Sequence, residues 1–133
     1  MARQIQVNDQ EWIEIINQEK EVTGGFWWNP SDLDIVKRCE KVIEHFKCIE
    51  IKPDSDLFAV SDEIKEQFNY LLDSPKAADE LFKHSNPLTP RQDGELYAEY
   101  VLNLLVDFIG KEMNVRMQKS SARIKQYTEK YGR

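Results

Sequence analysis

Along most of this chain the apolar residues recur every three or four positions, the spacing that lays one face of a helix against a core. Leu33, Ile35, Val36, Cys39, Val42, Ile43 and Phe46 make one such stripe, and Val60, Ile64, Phe68 and Leu71 make another. Capping chemistry marks the boundaries. Asn8 followed by Glu11 has the form of a capping box, with Val7 and Trp12 spaced as a hydrophobic staple, and predicts a first helix near residues 9–20. Gly24-Gly25 supply the backbone freedom for its stop. Asn29-Pro30, Ser74-Pro75 and Thr89-Pro90 each put a favoured cap before a proline, the device that opens a helix. They predict helices from about residue 30, from Ser74 to about His84, and from Pro90 onward, with Gln92 placed to complete a capping box.

One stretch departs from this period. Cys48-Ile49-Glu50-Ile51 and Leu57-Phe58-Ala59-Val60 flank a turn-rich linker, and residues 48–60 are open to a small β-hairpin, with Ile5-Gln6-Val7 as a third strand. The expected fold is mainly α: a single domain over 1–133, a helical bundle of about five helices around a long C-terminal helix.

That last helix is too long for its body. From Pro90 to Tyr131 there is no further proline, and 42 helical residues would span about 63 Å. A compact chain of this length has a diameter of roughly 36 Å. In its first half Glu95, Glu99, Asn103, Asp107 and Lys111 recur every four residues in one polar strip, and the rest is mostly apolar. Such a helix is expected to be buried on most of its circumference. In its second half Arg116, Lys119, Arg123 and Lys130 share one face, beside a stripe of Met113, Met117, Ile124 and Tyr131. Residues 114–133 are therefore a basic amphipathic helix. It either projects or breaks at Lys119-Ser120-Ser121-Ala122 and folds back onto the body.

Charge adds to this picture. The net of −6 divides unevenly: residues 1–100 hold 11 Lys/Arg against 21 Asp/Glu, whereas residues 101–133 hold 7 against 3. An acidic body carries a basic end. The body repels polyanions, which argues against nucleic acid or an anionic membrane as main partner. Two cysteines are too few for a disulfide scaffold, and no leader or membrane-length apolar run is visible, so a cytoplasmic location is expected.

Catalytic and metal chemistry find little support. Glu99 and Asp107 lack the Glu-x-x-His pattern of bundle metal sites. On a helix Cys39 lies about 180° from Cys48, so Cys39, His45 and Cys48 do not converge on one ion. Gly24-Gly25 lack the lysine of a phosphate loop, and Asp54, Asp56, Asp62 and Glu63 lack the central glycine of a calcium loop. The chain is expected to be no enzyme and to hold neither cofactor nor metal. Phe26-Trp27-Trp28 is expected in a loop, with Trp28 stapled against Leu33 and Trp27 open to a partner.

The function expected is protein binding, as an inhibitor, adaptor or assembly factor of bacterial or phage type. The acidic body suits a basic partner such as a nucleic-acid-binding protein, and the C-terminal helix could join copies of the chain. The contact residues expected are Trp27, Arg116, Met117, Lys119, Arg123, Ile124 and Lys130. The alternative is a nucleic-acid-binding module using the stripe Arg116, Lys119, Arg123 and Lys130.

Overall fold

A computed structural model describes the backbone of residues 2–131, with the side chains of residues 2–123 and of Lys125. Two strands, β1 (Glu11–Ile16) and β2 (Val22–Trp28), precede four helices: α1 (Asp34–Cys48), α2 (Leu57–Leu72), α3 (Ala77–Leu81) and α4 (Tyr97–Tyr131). Among the described residues the fold is mainly helical with one small antiparallel hairpin, and four helices stand where about five were expected.

The helix expected over residues 9–20 is strand β1. Trp12, Ile13, Ile15 and Ile16 fit either period in isolation, but Val22–Trp28 is rich in aromatic and β-branched residues and pairs with them. The turn between them is built locally. Asn17 Oδ1 accepts from the backbone N–H groups of Glu19 and Glu21, and Lys20 takes the left-handed conformation at φ 65°. Phe26-Trp27-Trp28 is accordingly strand, not loop. The hairpin considered for residues 48–60 does not form. Asp56 accepts from the N–H groups of Phe58 and Ala59, and so commits Leu57–Val60 to the first turn of α2.

The proline starts are later than their caps suggest. Asn29 Oδ1 binds Ser31 within a turn, and α1 begins only at Asp34. Thr89-Pro90 opens a loop closed by a Pro90–Leu96 bridge and by Gly94 at φ 89°, so α4 begins at Tyr97. Its first free N–H groups are satisfied from the preceding loop, Tyr97 donating to the Thr89 carbonyl and Ala98 to that of Pro87. α3 is shorter than expected, and its Ala78 N–H is held by Asn69 of α2.

The core joins the hairpin to the helices. Phe26 and Trp28 on β2 are buried with Ile35 and Val42 of α1, Ile64, Phe68 and Leu71 of α2, and Val101, Leu105 and Ile109 of α4. Trp28 is 1% exposed, and its ring lies 5.5 Å from that of Phe108 on α4. Phe46, Phe68, Phe82 and Tyr97 continue the aromatic packing edge to face. Arg38 pins α1 to the end of α2 by donating from Nε to the Leu71 carbonyl.

α4 is buried on one face only, because Leu104 and Val106 lie open to solvent on the other. Its buried face reads Ala98, Val101, Leu105 and Ile109, and the next positions on that face are Glu112 and Arg116. From Glu112 onward this face turns from apolar to charged. The helix passes through Lys119–Ala122 without a break.

Ser61 offers a test of this packing. It is buried in α2 with no hydrogen-bond partner for its Oγ among the described residues. Ser61→Ala removes a desolvated hydroxyl and improves helix propensity, so it should raise stability by about 0.5–1 kcal/mol in urea unfolding.

Candidate functional site

The hairpin presents two unlike faces. Alternation along β1 and β2 turns Ile13, Phe26 and Trp28 toward the helices and Trp12 and Trp27 outward. Trp12 and Trp27 are direct cross-strand partners, their ring centroids 5.6 Å apart at 65°. They remain 50% and 55% exposed. Along the strands lies a second exposed cross-strand pair, Ile16 and Val22. This concentrates apolar area on one outer surface of a chain with mean hydropathy −0.63.

The position of Trp12 is set by a glycine. A Cβ on Gly25 would lie 2.7 Å from Cζ2 of the Trp12 ring and 2.9 Å from the Ile13 carbonyl oxygen. The ring lies across bare backbone, which only glycine allows. Together with Gln10, Phe26, Ser74, Pro75, Lys76 and Glu80, the two indoles line a cleft of about 520 Å³. Its polar rim is organised by Lys83, whose Nζ lies 2.6 Å from Glu80 Oε2 and donates to the Thr23 carbonyl.

The basic stripe of α4 is only partly free. Arg116 is tied down: its guanidinium contacts Glu11 Oε2 at 2.8 Å, Ser31 Oγ at 2.8 Å and Glu112 Oε2 at 3.3 Å. Hydrogen bonding to Glu11 and the surrounding carboxylates raise its pKa further. It therefore roots α4 on the first residue of β1. Met117 is 58% exposed, and Lys119 and Arg123 are exposed. The side chains of Ile124 and Lys130 lie outside the described residues. Of the expected contact residues, Trp27 stands on the hairpin face and the others on α4. Sequence reasoning missed Trp12 and Ile16, whose outward alternation becomes legible only once β1 is read as a strand, and Val22, which pairs with Ile16 across a register shift in β2.

Other chemistry-bearing residues are scattered. His45 Nε2 lies 2.8 Å from Glu63 Oε1, joining α1 to α2. Cys39 is half-buried and Cys48 exposed, and neither forms a disulfide. Among the described residues no group of three His, Cys, Asp or Glu side chains is arranged to hold a metal ion. No described helix is long and apolar enough to cross a membrane. No protein-family model matches the chain, and no curated protein or solved structure is similar to it.

Gly25→Ala should force Trp12 off the hairpin and cost about 1–3 kcal/mol, seen as a lower melting temperature with an altered tryptophan emission. The two thiols should also separate chemically. Burial pushes the Cys39 thiol up, leaving little thiolate at pH 8. Maleimide followed by mass spectrometry should mark Cys48 first.

Proposed function

We propose that this protein binds another protein, and that the outer face of the hairpin is its principal contact. One observation carries the reading: Trp12 and Trp27 stand half in water beside a cleft, while their neighbours Phe26 and Trp28 are buried. Interfaces concentrate their energy on such anchors, tryptophan above all. The indole pair needs no metal and no second reactive group to be useful. It offers area to a partner that brings a complementary apolar surface.

The charge of the body narrows the partner. Residues 1–100 carry a net of −10, and Glu14 sits between Trp12 and Ile16 on the same outward face. This favours a basic partner, steered by opposite charge and then held by the indoles. A nucleic-acid-binding protein has such a surface, which suits an inhibitor, adaptor or assembly factor acting from the cytoplasm. α4 adds a second contact through Met117, Lys119 and Arg123, extended by Ile124 and Lys130 in sequence. Phosphate binding by the α4 cations is the weaker reading, since Arg116 is already engaged by two carboxylates and a hydroxyl. No catalytic role is proposed.

The test is capture by the immobilised full chain, with Trp12→Ala and Trp27→Ala together as the variant. The wild type should retain a basic protein, and the double variant should lose at least tenfold in affinity, the effect expected of two anchors, with its circular dichroism unchanged. Equal capture by both forms would remove the hairpin face from consideration. Duplex DNA binding that falls steeply with salt and is abolished by Lys119→Gln, Arg123→Gln and Lys130→Gln would favour the phosphate reading instead.

A further inference from the structure

α4 carries its own electrostatic complement in reverse order. Residues 97–110 hold Glu99 and Asp107 and no Lys or Arg; residues 111–125 hold Lys111, Arg116, Lys119, Arg123 and Lys125 against Glu112. The first half is acidic and lies on the body. The second is basic, and its described side chains from Met117 onward are exposed. An acidic surface calls for a basic partner and a basic arm for an acidic one. A second copy, turned by a two-fold rotation, answers both needs with one repeated contact.

The face available for that contact can be identified. Taking 100° per residue, Glu99, Val106, Gly110 and Met117 fall within about 40° of one another. This stripe points away from the core: Glu99 is exposed, Val106 is 37% exposed, Met117 is open, and a Cβ on Gly110 would meet nothing within 4 Å. Gly110 therefore lets a second helix come close. At the acidic end Leu96, Glu99 and Leu102 border a groove of about 380 Å³ whose other side includes Ile43, Phe46 and Ile51. The groove is apolar apart from Glu99 and Lys47, and it continues the stripe.

We propose that α4 pairs antiparallel with α4 of a second copy about an axis beside Gly110–Asn114. In this register Gly110 faces Asn114 of the second copy, and Glu99 faces Lys125 of the second copy. Residues 122–125 of each arm then lie over the groove of the other body. Met117 then lies beside Val106 and Gly110 of the second copy. The two helix dipoles oppose, and each acidic half meets a basic half. The hairpin face is left free, so this contact is separate from the principal partner surface described above, although it occupies the secondary one on α4.

Light-scattering mass and sedimentation across micromolar to sub-millimolar concentrations test the pairing. The full chain should approach twice 15.7 kDa and dissociate as salt is raised. Glu99→Lys and Lys125→Glu should each weaken the dimer about tenfold, since each pair is made twice. Combining the two should restore association, which loss of folding cannot mimic. Met117→Lys should weaken it as well, whereas Trp12→Ala with Trp27→Ala should leave it unchanged. A monomeric mass throughout would overturn the proposal, as would a dimer indifferent to the charge swap or one lost with the two tryptophans. Those outcomes bear on the pairing alone, because partner capture is read independently.

Discussion

Everything in this molecule depends on the burial of one strand face. β2 sends Phe26 and Trp28 into the helices, and Trp28 stacks near Phe108 of α4 at a separation typical of packed aromatic pairs. A two-stranded hairpin alone is marginal in water. Here it persists because its inner face completes a core that the helices leave open. The same alternation obliges Trp12 and Trp27 to face outward. The candidate binding surface is therefore a by-product of the packing that makes the hairpin stable.

The second organising feature is the change of character along α4. Upstream of Glu112 its body-facing stripe is apolar and contributes Val101, Leu105 and Ile109 to the core. Downstream that stripe is cationic, and Arg116 is the hinge between the two regimes. Its contacts with Glu11 and Ser31 are half-exposed, so each contributes little energy. What they supply is direction: the root of the arm is fixed against the strand that carries Trp12. A single helix thus serves as wall of the core and carries an exposed basic segment beyond it.

Much of the helical part was legible because its signals are local. Asp56 caps α2 from its own side chain, and the stripes of α1 and α2 place Ile35, Val42, Ile64, Phe68 and Leu71 in the core as their spacing predicts, whereas Leu33, Val36 and Ile43 of the first stripe are exposed. Trp28 is buried, but against Phe108 of α4 rather than by the expected staple on Leu33, which is 68% exposed. The failures share one cause. Residues 9–20 carry both a capping box and an alternation, and nothing within that window weighs them. Thr89-Pro90 has the form of a helix start, yet the Pro90–Leu96 bridge and Gly94 hold it as a loop.

The sequence by itself determined the helical majority, the acidic body with its basic end, and the excess length of the last helix, since propensity, caps and charge act within a few residues. Tertiary structure decided the rest. Only pairing with residues 22–28 makes residues 11–16 a strand, and only burial of Phe26 and Trp28 decides which tryptophans meet water. Strand identity and side-chain exposure are set by contacts between distant segments, and the free energy of those contacts is written in no single stretch of the chain.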